Sequence, residues 1–418
     1  MQKLEVFGGN NLKGIIKISG SKNASLPILA ASLLSKKKIH IKNLPRVDDV
    51  KTMVGLLQSL GSIIKFNKNE IKIDNSNQTK KFASYKLVKT MRAGILVLGP
   101  LLAKLGKAKV SLPGGCAIGL RPVDLHLKAL SQMGMKYKII QGYIHASVPN
   151  GLSGSKIRFS KISVGATENL IIAACLAKGK TILSNCAIEP EIQDLVIFLK
   201  KMGCNIKWIS KRSIQILGVK KIQNVSHKVT FDRIEAVTYM IAGALTKGNL
   251  VIKEILTSNI KNEINILKKV GAKINVKHNQ LQIIGTDQIK KMNIKTAPYP
   301  GFPTDLQAQI MVLLSKGKKN SYLKEEIFEN RFMHVPELNR MGAKISIVKN
   351  KALIRGNTDF KGAEVTASDL RASVSLILAA LCAEGKTTIN RLYHLDRGYE
   401  DLEMKLKKVG AKIRRIND

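Results

Sequence analysis

The stretch Ser111-Leu112-Pro113-Gly114-Gly115-Cys116-Ala117-Ile118-Gly119-Leu120-Arg121-Pro122 sets one thiol between two prolines, five residues before an arginine. Pro and Gly at this density exclude helix and strand, so the segment is a loop. A cysteine on a loop beside a guanidinium is placed for reactivity, because the cation favours the thiolate. The plain alternative is an incidental loop thiol. Other short segments put anion-binding groups where helices begin. Gly20-Ser21-Lys22-Asn23-Ala24 precedes an apolar helix; Ser21 or Asn23 can cap it, and Lys22 stands beside its positive end. Ser163-Val164-Gly165-Ala166-Thr167-Glu168 enters another helix and offers backbone N–H groups to a diphosphate, or forms a capping box through Thr167 or Ser163. In Pro300-Gly301-Phe302-Pro303-Thr304-Asp305-Leu306, Thr304 or Asp305 is an N-cap candidate. A cap carboxylate is a weak base unless burial offsets the helix dipole. Asp369 lies next but one to Arg371, and Asp396 is adjacent to Arg397; surface ion pairs are the simple reading of both.

Arginine is used sparingly. Only 14 of the 70 basic residues are Arg, and six of these fall in the short motifs: Arg92, Arg121, Arg233, Arg331, Arg371 and Arg397. Lysine therefore covers the surface, and the planar guanidinium is concentrated where a carboxylate or phosphate needs a fork. The net charge of +41 is spread along the 418 residues without a basic tail, and aromatics make up 5% with one Trp. That supplies few stacking platforms for nucleic acid. The charge reads as lysine filling solvated faces, with no nucleic-acid partner expected. The longest apolar runs, Ala93–Ala103 and Ser373–Ala383, are too short to span a bilayer, and no membrane association is expected. Met1-Gln2-Lys3-Leu4-Glu5-Val6 carries no apolar export core. The five cysteines are odd in number and form no CxxC, and the seven histidines show no ligand spacing. Neither a disulfide framework nor a metal site is expected, and a reducing cytoplasm fits. There is no GxxxxGK[ST], no GxGxxG after a strand and no HExxH.

The elements that must position these segments come from a repeat. A helix ending in Gly followed by a β-branched run occurs at Gly61, Gly134, Gly203, Gly271, Gly342 and Gly410, spaced by 73, 69, 68, 71 and 68 residues. Each Gly falls where a helix needs a left-handed residue just past its end. Before each lies a second helix rich in Ala and Leu all round, then a turn and a short strand, as in Ala166–Leu183, Glu235–Ile252 and Leu370–Ile389. Such a helix is buried inside its unit, whereas the later one is amphipathic. The repeat predicts an α/β chain of six units, in two clusters of three.

In order and spacing, these segments resemble the UDP-N-acetylglucosamine 1-carboxyvinyltransferase family of the EPSP synthase superfamily along the full chain. The resemblance is carried by Lys22-Asn23, the Pro113-Gly114-Gly115-Cys116 loop running to Arg121-Pro122-Val123-Asp124-Leu125-His126, Ser163-Val164-Gly165-Ala166-Thr167-Glu168-Asn169 and Asp232-Arg233-Ile234-Glu235. It continues through Phe302-Pro303-Thr304-Asp305, Ile327-Phe328-Glu329-Asn330-Arg331-Phe332, Asp369-Leu370-Arg371-Ala372-Ser373 and Asp396-Arg397-Gly398-Tyr399-Glu400. It implies two similar domains, each of three βαβαββ units with buried inner helices (an inside-out α/β barrel), and an active site in the interdomain cleft. The expected division is 22–229 against 1–21 plus 230–418, the first domain carrying the cysteine loop.

The resemblance also implies roles. Phosphoenolpyruvate and UDP-N-acetylglucosamine would be the substrates, with no metal or organic cofactor. Lys22, Arg121 and Arg397 would hold phosphoenolpyruvate, with Arg92 nearby. Arg121, Pro122, Val123, Asp124 and Leu125 would line the uridine pocket; Lys161, Ile162, Ser163, Val164 and Gly165 would meet the UDP portion, and Ile327 the nucleotide sugar. Asp305 would take the sugar hydroxyl proton. Cys116 would protonate the methylene carbon and can form the 2-(S-cysteinyl)pyruvic acid O-phosphothioketal. Asn23, Asp369 and Arg371 would order the site. Three local departures touch none of these residues: Ile188 where a basic residue is usual, Ala236-Val237-Thr238 in place of Thr-Gly-Thr, and Gly94 in place of Ser. Two rivals remain at this point, a 5-enolpyruvylshikimate-3-phosphate synthase and a polyanion-binding protein driven by charge.

Overall fold

The computed structural model describes residues 2–114 and 123–417. Its organising feature is the helix end anticipated at each repeat glycine. Gly61, Gly134, Gly203, Gly271, Gly342 and Gly410 all have positive φ, between 91° and 119°. At each, the glycine N–H bonds the carbonyl three residues back and the next N–H bonds the carbonyl five back, as in Gly271→Lys268 and Ala272→Leu267. This is the Schellman closure, which satisfies the last carbonyls of a helix and turns the chain into a strand.

The described residues form two compact units, 2–19 with 231–417 and 20–114 with 123–230. Each holds three four-stranded sheets of one pattern. In Lys156–Arg158 to Ser213–Leu217, for example, the first strand runs parallel to Lys180–Ser184, with Ile157 opposite Leu183. That strand pairs antiparallel with Ser213–Leu217, which pairs antiparallel with Asn205–Ser210. The helices Val164–Ala174 and Pro190–Lys201 fall between the strands, giving βαβαββ. The expected α/β class and unit are therefore what the chain builds. Chain order is broken where the units close. Val225–Lys228 returns to lie parallel to Ile39–Lys42. Lys13–Lys17 supplies the parallel strand for Asn249–Lys253. Gln2–Phe7 is inserted between Lys386–Asn390 and Lys412–Asn417.

Six inner helices form the cores: Lys22–Ser32, Leu98–Leu105 and Val164–Ala174 in one unit, Arg233–Leu245, Gln307–Ser315 and Leu370–Leu381 in the other. Every residue of the last three is buried. Their Ser and Thr hydroxyls survive burial by bonding carbonyls one turn back, as Thr238 Oγ1 does to Ile234 and Ser373 Oγ to Asp369. Leu376 is fully buried in this core, and its truncation to Ala would cost about 2–5 kcal/mol. The outer helices bury one face; Lys261–Val270 buries Ile264, Ile266, Leu267 and Val270 and leaves Lys268 and Lys269 in water. The sheets lie outside, and the hairpin strand Lys136–Ile140 is exposed at every position. Among the described residues no helix is long and apolar enough to cross a membrane.

Candidate active site

In the 231–417 unit, polar side chains gather at the starts of the three inner helices. Asp305 sits in a 3-10 turn, Thr304–Leu306, that leads into Gln307–Ser315. Its Oδ1 accepts a hydrogen bond from Arg331 Nη2 at 2.9 Å, and its Oδ2 accepts one from Arg371 Nη2 at 2.8 Å. The Asp305 side chain keeps 26% exposure against 5% for Arg331 and 7% for Arg371. A carboxylate on the open side of two buried guanidiniums can still reach a ligand. Two such partners favour its ionised form. Arg371 itself is buried, which alone would depress its pKa. Asp305, Tyr399 and Asp232 outweigh that and raise it above the ordinary arginine value. Asp369 caps Leu370–Leu381 by accepting the N–H groups of Arg371 and Ala372 at 2.8 and 3.1 Å. Asp232 likewise caps Arg233–Leu245 through the N–H groups of Ile234 and Glu235. Arg233 lies 3.8 Å from buried Glu263 and over the ring of Tyr299.

Beside these lie groups that sequence reasoning did not single out. Tyr399 Oη meets Arg371 Nη1 at 3.2 Å and Thr238 Oγ1 at 3.0 Å, with Gln309 Nε2 at 3.4 Å. Glu235 accepts from Ser19 N–H at 2.9 Å and from Lys405 Nζ at 2.5 Å. Burial outweighs Lys405 and pushes Glu235 up to about 7. Buried His334 is depressed to about 4 by its burial and by Arg331, against the pull of Asp369, and is neutral at physiological pH.

The 20–230 unit presents different chemistry. Lys22 is the first residue of its helix, capped by Ser21, whose Oγ accepts from Ala24 N–H at 3.2 Å. Lys22 Nζ lies 3.2 Å from Asp49 Oδ2. Arg92 opens the 3-10 turn Arg92–Val97 that leads into Leu98–Leu105. Ser163 caps Val164–Ala174 through Ala166 N–H at 3.3 Å. Leu125 lines a small cavity of about 40 Å³ with Lys128, Ala129, Gln132 and the run Ile157–Ser160. Gly165 packs on the ring of the adjacent His126, since a Cβ there would lie 3.4 Å from the imidazole. The segments around Leu125 and Gly165 thus meet. Asn169 Oδ1 accepts Gly99 N–H at 2.9 Å, which turns its Nδ2 toward His126 Nδ1 at 3.1 Å. His126 Nδ1 is then an acceptor, and in the neutral ring the proton resides on Nε2. Burial and Arg92 hold His126 down to about 4, against the pull of Asp124, so the ring is neutral.

The profile of the EPSP synthase (3-phosphoshikimate 1-carboxyvinyltransferase) family matches residues 6–406. A UDP-N-acetylglucosamine 1-carboxyvinyltransferase of Pelagibacter ubique is 71% identical over 417 residues, covering both chains completely. One from Rickettsia bellii is 51% identical over 420 residues, again with both chains fully covered. The chain belongs to this family of enolpyruvyl transferases. Solved structures share the fold. The enolpyruvyl transferase NikO of Streptomyces tendae superposes with a TM-score of 0.92 at 24% identity, over 100% of this chain and 99% of that one. An EPSP synthase of Acinetobacter baumannii gives 0.79 at 17% identity, with both chains covered fully.

As an enolpyruvyl transferase the chain shows its motif residues in two sets. The structure brings Asp305, Arg331, Asp369 and Arg371 into one cluster, with Arg397 half-buried at the end of the short helix Tyr393–Asp396. Ile327 is 36% exposed, and its N–H is held by Glu325 Oε1 at 2.8 Å. In the other unit Lys161 and Val164 are exposed, Asn23, Arg92, Ile162 and Ser163 half-buried, and Val123 buried before exposed Asp124. Cys116, Arg121 and Pro122 lie outside the described residues.

Three expectations need correction. Neither Thr304 nor Asp305 caps a helix: Pro303 occupies the cap position, Thr304 Oγ1 bonds Glu325 Oε2 at 2.9 Å, and Asp305 is taken by the arginines. Thr167 does not form a capping box; its hydroxyl donates to Ser163 O, and Ser163 alone caps. Asp396 faces Arg415, which binds both its oxygens at 2.8 and 2.9 Å, and Asp369 serves as a cap. The remaining cysteines, Cys175, Cys186, Cys204 and Cys382, belong to the core or its edge. Burial pushes Cys186 and Cys382 up to about 12.

Proposed function

We propose that this enolpyruvyl transferase moves the enolpyruvyl group of phosphoenolpyruvate to the 3-hydroxyl of UDP-N-acetylglucosamine and releases phosphate, the committed step of peptidoglycan synthesis in the cytoplasm. The observation that carries the acceptor assignment is the full-length 71% identity to a UDP-N-acetylglucosamine 1-carboxyvinyltransferase. The Asp305 cluster supplies a base suited to the chemistry.

The reaction is an addition followed by an elimination. Cys116 gives a proton to the methylene carbon, and cationic character develops at C2. The sugar oxygen attacks C2 while Asp305 accepts its proton. The product is a tetrahedral ketal phosphate. Loss of phosphate and of one proton from the new methyl group, returned to the Cys116 thiolate, restores the double bond. Acid and base must be separate groups, one for each partner. Lys22, Arg121 and Arg397 neutralise the phosphate and carboxylate as charge moves, with Arg92 in support. Asn23, Asp369 and Arg371 order these groups. Arg121 to Leu125 and Lys161 to Gly165 receive the nucleotide, and Ile327 the sugar. Attack by the Cys116 thiolate on C2 instead gives the phosphothioketal. Atoms and electrons balance without an oxidant or a metal.

The test is phosphate release by purified protein from phosphoenolpyruvate, with UDP-N-acetylglucosamine and shikimate-3-phosphate offered separately. Release with the nucleotide sugar alone is expected. Release with shikimate-3-phosphate alone would keep the chemistry and overturn the acceptor. Release with neither, from folded protein, would overturn both.

A further inference from the structure

The Asp396–Glu400 turn touches more of the Asp305 neighbourhood than any motif suggested. Asp396 is gripped by Arg415. Gly398 lies so close to Leu370 that a Cβ would fall 2.6 Å from its Cδ2. Glu400 Oε2 accepts the Ser19 hydroxyl at 2.6 Å. Tyr399, between them, is only 4% exposed and points its hydroxyl at Arg371 Nη1, 3.2 Å away.

The direction of these hydrogen bonds can be worked out. Thr238 has one hydroxyl proton, and it goes to the Ile234 carbonyl at 2.8 Å. Thr238 Oγ1 must then accept from Tyr399 Oη at 3.0 Å. With its proton committed, the phenol oxygen turns lone-pair density to Arg371 Nη1. Arg371 Nη2 is thereby aimed at Asp305 Oδ2, 2.8 Å away. The chain runs from the Ile234 carbonyl through Thr238, Tyr399 and Arg371 to Asp305, with Gln309 Nε2 at 3.4 Å from both hydroxyl oxygens. Burial, opposed by Arg371 and Thr238, raises the Tyr399 pKa, so the phenol stays protonated at working pH.

We propose that Tyr399 is a positioning residue for the base: its hydroxyl fixes the Arg371 fork, and that fork sets the orientation and charge state of Asp305. A fork without this anchor leaves a buried donor unsatisfied and swings to find another acceptor. Asp305 would then lose the Arg371 guanidinium and become a stronger but less well-aimed base. The inference rests on Asp305 taking the acceptor proton.

The experiment measures steady-state turnover against pH, with melting temperatures alongside, for wild type, Tyr399→Phe and Thr238→Val. The acceptor is whichever one wild type uses, so a failed acceptor assignment registers in wild type alone. Tyr399→Phe keeps the ring over Arg371 and removes only the oxygen. Its kcat should fall about 3- to 30-fold, with the phosphoenolpyruvate KM within about twofold. The acid limb of its profile should move up by roughly half a pH unit or more. Thr238→Val should shift the limb the same way by less, because the phenol oxygen remains. Wild-type kcat and acid limb in Tyr399→Phe would overturn the proposal, as would a lowered melting temperature with unchanged kinetics. Should Tyr399→Phe fail to fold, an unshifted Thr238→Val profile would overturn it instead.

Discussion

The inner helices of the two units begin in different ways. In the 20–230 unit, two open on serine, Ser21 and Ser163, each giving one neutral hydrogen bond. In the 231–417 unit, two open on aspartate, Asp232 and Asp369, each accepting two N–H groups. The middle helix of each unit has no side-chain cap and starts with a 3-10 turn, which carries Arg92 in one and Asp305 in the other. A serine satisfies an N–H without cancelling the positive end of the helix, which stays available to a phosphate. An aspartate cancels that end and leaves a carboxylate that can hold arginines. One repeat thus yields a unit disposed toward anions and a unit that carries its own carboxylate, Asp305, the proposed base. Nothing in the βαβαββ plan dictates this difference; it resides in a handful of side chains at matching positions.

The strongest way to break this comparison is Asp305→Asn. The amide keeps the shape and cannot accept a proton, so kcat should fall about 10²- to 10⁴-fold. Phosphate release within twofold of wild type would remove Asp305 from the role of base.

Burial of carboxyl groups sharpens it. Glu168, on an inner helix of the 20–230 unit, is pushed well above 4.5 by burial, Glu191 and Glu189. Glu235 rises from 4.5 only to about 7, burial being opposed by Lys405. A carboxyl with a raised folded pKa stabilises the fold fully below its unfolded pKa, and that contribution fades as pH climbs through the folded value. Stability should therefore fall between pH 4.5 and about 7, by up to roughly 3 kcal/mol from Glu235. Glu235→Gln should flatten this slope in urea melts; an unchanged slope would place the titration elsewhere.

The smallest effect tests the caps. Ser163→Asp exchanges one good cap for another, so stability should move by less than about 0.5 kcal/mol. The added charge faces the segment assigned to the diphosphate. KM for UDP-N-acetylglucosamine should rise roughly 5- to 30-fold, with that for phosphoenolpyruvate little changed. Equal KM values in variant and wild type would show that the serine cap is incidental to anion binding.

Much of the fold was legible because it is local. The glycine at each helix end and the strand after it are set within a few residues, and the all-round apolar pattern marks the inner helices. The caps Ser21 and Ser163 could be named for the same reason. Asp305 misled as a cap candidate because the competing partners, Arg331 and Arg371, stand 26 and 66 residues away. Tyr399 shows in the sequence only as part of a motif: its partner Thr238 is 161 residues distant, and hydrogen-bond polarity cannot be read from a one-dimensional pattern. Arg415 was invisible for a similar reason, since it sits in the C-terminal strand outside every motif and acts by clamping Asp396.

The strand Gln2–Phe7 has a consequence in time. It leaves the ribosome well before its neighbours Lys386–Asn390 and Lys412–Asn417. Residues 20–230, which hold the other compact unit, are complete long before. The Gln2–Phe7 strand waits without its sheet until both partner strands have been made. The second unit is therefore sealed only once Lys412–Asn417 has been made and pairs with Gln2–Phe7, Gln2 opposite Asn417.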